Sequence, residues 1–328
     1  MDADLAGEER AVILEVLPLL PPAQREHIVL STPDGRIFAN RKVLRANGGT
    51  VRLQALGGNA YRDPQSGETL FRPASAPLSA ASVDITCATG SGTGPFYRAL
   101  SESGAAGARS GTFASAVVEL PATIELSFDA VNGARQYRET PYLMLGGWSA
   151  TGAAVDAGLQ YNPGGQNTTE SGTWSVFLNT TAARTRFRRA ETRRVRLTFA
   201  VRKNGAPVVL ASGVREGREL TVGVLGEGRW NASGTGNVLK RVTAIAQRAG
   251  QQDLNSGAVL SAAEWHDLFL GGASGVKPWR DHAGETCAFP DSARVRVGPG
   301  SVPSEHEQIS IDLRPLEADT LLSFPKRP

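Results

Sequence analysis

The residues between Tyr142 and Asn179 are the ones best suited to hold a polar ligand. Trp148, Asp156, Gln160, Asn162 and Trp174 all fall within this stretch. Read as a strand of period two, Val155, Ala157, Leu159 and Tyr161 share one face, and Asp156, Gly158, Gln160 and Asn162 share the other. A carboxylate and two amides in line, with a glycine gap between them, suit the floor of a groove. The indoles of Trp148 and Trp174 would supply flat apolar walls for a sugar ring or a peptide. The same alternation equally describes an ordinary sheet with one solvated face, and the pattern alone leaves both readings open.

Other chemistry-bearing residues are scattered. The four histidines are His27, His266, His282 and His306. The run Glu264-Trp265-His266-Asp267 and the pair Asp281-His282 place acids beside imidazoles, but no His-x-x-x-His spacing is present, so no metal site is expected. No Gly-x-Ser-x-Gly elbow marks a nucleophile. The glycine-rich run Gly90 to Gly94 lacks the lysine and helix of a phosphate loop, so no nucleotide or other cofactor is expected. Arg184, Arg186, Arg188, Arg189, Arg193, Arg194 and Arg196 form the densest charged segment. Guanidinium forks in such a run suit an acidic polymer; they equally suit a solvated strand edge, where positive charge blocks unwanted pairing.

The elements that must position these groups are mostly strands. The chain has 328 residues, 41% of them hydrophobic, with 37 glycines and a formal charge of +3. That is enough chain for one large domain with an appendage, or for two domains, and so small a net charge does not by itself argue for nucleic acid, whose binding proteins carry a dense basic face. Residues 7–17 read as one amphipathic helix with Ala11, Ile13, Leu14 and Leu17 on its apolar side, ended by Pro18 and Pro21-Pro22. Residues 1–72 read as a small α+β unit that must dock on the main domain, 73–82 as a linker, 83–313 as that main domain, and 314–328 as a tail. Within the main domain, Val195 to Arg202 alternates strictly and Asn204-Gly205 gives a hairpin signal, with Pro207 to Ala211 returning. Many short alternating strands broken by Gly and Asn turns predict an antiparallel β-sandwich, jelly-roll-like, with the small α+β extension in front. No run is long and apolar enough to span a membrane. Cys87 and Cys287 lie in strand-like flanks and are expected to pair as a disulfide, which would imply an oxidising compartment; the alternative is two separate buried thiols. The apolar run Ala11 to Leu20 contains Glu15 and comes after Glu8-Glu9, so it does not read as a signal peptide. A secreted or cell-surface protein is expected, its signal lying outside this numbering.

The alternation and glycine-rich strand ends resemble the concanavalin-like jelly rolls, a group that includes lectins, laminarinase-type glycosidases and glutamic peptidases. The resemblance covers residues 83–313 in character rather than as an aligned motif. The Glu-x-Asp-x-x-Glu strand of the laminarinase type does not occur in this chain. Gly-Leu-Gln160 and Ala263-Glu264-Trp265 are similar to the surroundings of the glutamine and glutamate of glutamic peptidases, which implies Gln160 and Glu264 as an acid–base pair if the chain hydrolyses its ligand.

Three functions are expected. The first is an extracytoplasmic binding protein that takes a glycan or acidic envelope polymer through Trp148, Asp156, Gln160, Asn162 and Trp174. The second is a secreted hydrolase using the same groove with Gln160 and Glu264. The third is a structural surface or assembly protein.

Overall fold

The computed structural model describes residues 5, 7–73, 94–101, 111–131, 134–164, 172–179, 181–272, 275–298 and 306–315. It is an antiparallel β-sandwich with a small N-terminal α+β extension. Among these residues one sheet has eleven strands. Its main path runs Ile37–Ala39, Ile28–Ser31, Arg218–Leu225, Pro207–Arg215, Arg194–Val201, Phe113–Glu119, Val259–Gly272, His306–Asp312 and Val295–Gly298. The facing sheet has eight, in the order Ala283–Phe289, Phe96–Ser101, Val238–Gln247, Glu139–Trp148, Ala154–Asn162, Thr173–Leu178, Thr181–Arg188 and Thr50–Arg52.

The alternation in the sequence decides what lies between the sheets. Val195, Leu197 and Phe199 of one sheet and Leu143, Leu145, Val155, Ala157 and Leu159 of the other point inward into one core. Each large aliphatic or aromatic side chain removed from water in this way contributes about 1.5–3 kcal/mol. Arg241 and Glu307 meet inside that core at 2.5 Å, one from each sheet, and tie the layers together. The Asn204-Gly205 turn forms as the sequence predicts, with Gly205 at φ 78° and Arg196 to Val201 paired with Pro207 to Ser212.

The N-terminal residues are built into both sheets. Ile28–Ser31 pairs in parallel with Arg218–Leu225, and Thr50–Arg52 borders Thr181–Arg188. The helix Gly7–Val16 buries Glu9, Val12, Ile13 and Val16. This corrects the expected stripe, because Leu14 is exposed and Val12 takes the inner position. The spacing i, i+3, i+4, i+7 accounts for it once Glu9 is admitted to the buried face. Glu9 is satisfied there by the Ala39 N–H and by the Arg45 guanidinium. Gln54–Gly57, Ala60–Arg62 and Thr69–Phe71 form a separate three-stranded sheet.

Cys287 lies on Ala283–Phe289 opposite Arg98. Its expected partner Cys87 lies outside the described residues, as do the expected linker beyond residue 73 and the tail beyond 315. Among the described residues, no helix is long and apolar enough to cross a membrane.

Candidate functional site

Asp156, Gln160 and Asn162 do share the outer face of the eight-stranded sheet, because Val155, Leu159 and Tyr161 turn into the core. Trp148 stands on that same face, two positions along the neighbouring strand from the Gly146 that pairs with Asp156. Trp174 does not: it is fully buried on the core side, edge-on to Tyr161, and so cannot wall a groove.

The face itself is covered rather than open. Gln160 is 1% exposed and Asp156 8%. Part of the cover is the three-stranded sheet. The Phe71 N–H donates to Thr140 Oγ1, Asn59 Nδ2 donates to the Gln247 carbonyl, and the Arg72 guanidinium lies 4.2 Å from the Phe177 ring centroid. Asp156 pairs with Lys240 at 2.6 Å, and the ammonium also sits 4.3 Å from the Trp148 ring. Burial holds Lys240 below its ordinary range, with Asp156 acting in the opposite direction. Glu68, beside Arg186 and Asp63, is pushed up to about 7, chiefly by burial. The glycine gap has a backbone reason. Gly158 adopts φ 144°, and a Cβ there would stand 2.3 Å from the Leu143 carbonyl oxygen.

Gln160 and Glu264 are not brought together. Trp265 enters the core and donates from Nε1 to Thr243 Oγ1 of the facing sheet, so Glu264 and His266 on either side of it point outward from the eleven-stranded sheet. Gln160 points outward from the other sheet, which puts the whole sandwich between the two. Among the described residues, three of the seven arginines in the run pair with acids: Arg186 with Asp63, Arg194 with Glu119, and Arg196 with Asp267.

An open cleft of about 820 Å³ lies at one end of the sandwich, where the Ala154–Asn162 strand begins and the Arg218–Leu225 strand ends. Its wall includes Arg52, Thr151, Asn179, Thr181, Glu227, Arg229 and Trp230. Sequence patterning does not reveal this site, because its residues come from several separate loops and strand ends. The legible signals were the turns. Asn179 takes φ 49°, a left-handed conformation that asparagine tolerates better than most residues. Gly205 accepts the N–H groups of both Arg229 and Trp230 on its carbonyl, at 3.1 and 3.0 Å, and a Cβ on it would lie 2.7 Å from the Trp230 oxygen. The hairpin tip therefore sets the position of the Arg229-Trp230 segment. Thr151 Oγ1 holds the Arg229 carbonyl from the other side at 2.5 Å.

The charged side chains of Arg52, Glu227 and Arg229 are exposed and make no ion pair among the described residues. The Trp230 Nε1 is buried in the wall without a hydrogen-bond partner among them. Two guanidinium groups against one carboxylate give the cleft a positive bias, and its hydroxyl and amide groups add neutral hydrogen-bonding capacity.

No family model and no curated protein matches the sequence. Among solved structures, the chain is similar to SCP-B, a member of the eqolisin family of peptidases in complex with the tripeptide Ala-Ile-His, at a TM-score of 0.41 and 10% identity. It is also similar to scytalido-glutamic peptidase with a peptide-based transition state analog, at a TM-score of 0.42 and 10% identity. Each comparison covers 66% of this chain and 98% of the other.

Proposed function

We propose that the protein is an extracytoplasmic β-sandwich binding protein that takes an acidic glycan or envelope polymer in the end cleft. The observation that carries this reading is a cavity of about 820 Å³ whose exposed Arg52, Arg229 and Glu227 side chains make no ion pair among the described residues. Unpaired guanidinium groups at a concave surface can engage carboxylates, sulfates or phosphates of a polymer without first breaking an internal contact. Glu227 and the hydroxyls of Thr151 and Thr181 suit sugar hydroxyls. Binding is favoured over hydrolysis because retaining glycosidase chemistry needs two carboxyl groups about 5 Å apart. Glu227 is the only carboxylate among the described cleft residues.

A glycan array on the purified protein, followed by titration of the best anionic ligand, tests the reading. Arg52→Ala and Arg229→Ala should each weaken binding by about ten- to a hundred-fold, the worth of a charge-assisted hydrogen bond, with the unfolding midpoint unchanged. Undiminished binding in the double variant would refute it. The location outside the cytoplasm goes with the proposed Cys87–Cys287 bridge, which predicts linked peptides in a non-reduced digest.

The hydrolase reading has one observation of its own. Glu68, buried in the turn between Ala60–Arg62 and Thr69–Phe71 of the covering sheet beside Asp63 and Arg186, is pushed up to about 7 by burial, a value suited to proton transfer near neutrality. Hydrolysis of a peptide or glycan library, lost in Glu68→Gln and retained in the two arginine variants, would favour it over binding.

A further inference from the structure

Three side chains far apart in the sequence meet on the outer face of the eleven-stranded sheet. Glu264 and His266 alternate on Val259–Gly272, and His306 lies directly opposite His266 on His306–Asp312. The His306 Nε2 is 3.2 Å from Glu264 Oε2, and the His266 Nε2 is 3.4 Å from the same oxygen. One ligand atom from each of the three lies within 4.8 Å of the others. The two rings stack at 4.1 Å, which brings both Nε2 atoms to one side.

These separations suit a coordination shell. Zinc binds imidazole nitrogen and carboxylate oxygen at about 2.0–2.2 Å, so two donors at neighbouring corners of a tetrahedron stand roughly 3.4 Å apart. Both imidazole contacts to Glu264 Oε2 are close to that edge length. An ion could sit between the three donors with side-chain adjustment alone.

Two further features hold the donors in place. Gln308 Nε2 donates to Glu264 Oε1 at 2.7 Å, which turns the other carboxylate oxygen toward the imidazoles, as outer partners of metal ligands commonly do. The tripeptide Glu264 to His266 is bracketed by irregularities in its own strand. Register shifts fall between Leu260 and Ala263 against one neighbour and between His266 and Phe269 against the other. Ala262 and Asp267, at these points, take φ of 53° and 47°. Such conformations cost a non-glycine residue free energy and are enriched where a bulge re-aims side chains. The His266 Nε2 is itself shielded from solvent and makes no hydrogen bond among the described residues. Glu119 adds negative potential from the adjacent strand, 3.9 Å from His266 Nε2, while Arg194 holds it at 2.5 Å.

We propose that Glu264, His266 and His306 form a binding site for a divalent transition metal of the zinc class. Two imidazoles and one carboxylate are a donor set for zinc, nickel, cobalt or ferrous iron rather than for calcium or magnesium. Three protein donors leave a fourth position, and the partial exposure of all three side chains turns it toward solvent. The proposal is independent of the cleft, which is lined by other residues.

The test is calorimetric titration of Zn²⁺ into the full chain after removal of bound metal by chelation and dialysis. One equivalent should bind with a dissociation constant in the micromolar range or tighter. His306→Ala and Glu264→Gln should each weaken that binding at least about ten-fold, and His27→Ala should leave it unchanged. Cobalt should give the visible spectrum of a four- or five-coordinate site. Should His266→Ala fail to fold, the half-buried His306 at the strand start still decides the question. Absence of a one-equivalent event, or unchanged affinity in His306→Ala and Glu264→Gln, would overturn the assignment.

Discussion

Replacing Asp156 by alanine should destabilise the protein rather than simply remove a ligand contact. The carboxylate is 2.6 Å from Lys240 Nζ, and the two side chains are 11% and 4% exposed. Deleting one member of a buried pair leaves the other charge without compensation, at a cost of roughly 3–5 kcal/mol. Lys240 keeps a second partner, since its ammonium lies 4.3 Å from the Trp148 ring centroid. A desolvated cation–π contact is worth about 2 kcal/mol, which limits the expected loss to about 1–3 kcal/mol. Equilibrium unfolding in urea, followed by tryptophan fluorescence, reads the change. The pH dependence gives a second signature. Burial already holds Lys240 low, and removing Asp156 takes away the charge and the hydrogen bond that act against that effect. The native chain then binds fewer protons than the unfolded one below the ordinary lysine value of 10.5, so the variant regains stability as the pH rises toward it. Lys240→Met added to Asp156→Ala should restore most of the loss. A loss under about 1 kcal/mol, flat with pH, would mean that Asp156 faces solvent as a free carboxylate and that burial does not set its energetics.

Glu68 supplies the opposite sign. Its folded value of about 7 lies above the ordinary 4.5, so the native state binds the extra proton. The stabilisation from this group is complete below about pH 4.5 and is lost as the pH rises through 7, in total roughly 3 kcal/mol. Glu68→Gln should flatten that slope and raise stability at pH 8; an unchanged slope would exclude the group. Gly205→Ala should lower the unfolding free energy by about 1–3 kcal/mol and weaken anionic-ligand binding together, because its φ of 78° and its contact with Trp230 both oppose a Cβ. Loss of stability with binding intact would separate the hairpin tip from the cleft.

The sequence shows strand faces far better than it shows what covers them. Period-two alternation puts Asp156, Gln160 and Asn162 on one face, and the structure agrees. Whether that face meets water depends on where residues 54–72 dock, and nothing local at Asp156 encodes the position of Phe71 or Arg72. Trp174 illustrates the same limit. It is two residues from Val176 and shares its inward face, so parity with Val176 and Leu178 would have placed it in the core. The Glu264, His266 and His306 cluster was illegible because motif spacing presumes ligands on one element. Here the deciding fact is register: His306 lies opposite His266 after a bulge between Leu260 and Ala263 shifts Val259–Gly272 against His306–Asp312. The helix was legible in position and not in face, since a buried glutamate with its own partners breaks the simple hydrophobic stripe.

The parallel pairing of Ile28–Ser31 with Arg218–Leu225 bears on how the chain reaches its fold. Ile28 pairs with Thr221, and Asn59 donates to the Gln247 carbonyl, so strands synthesised first wait for partners made much later. Loop closure over such a span is slow. Until residue 225 has emerged, the apolar edge Ile28-Val29-Leu30 stays without its sheet, a template for pairing between chains. The early part of the protein is therefore the part most in need of a holding factor while the rest is made, and the end at which a fused tag or truncation would most readily turn folding into aggregation.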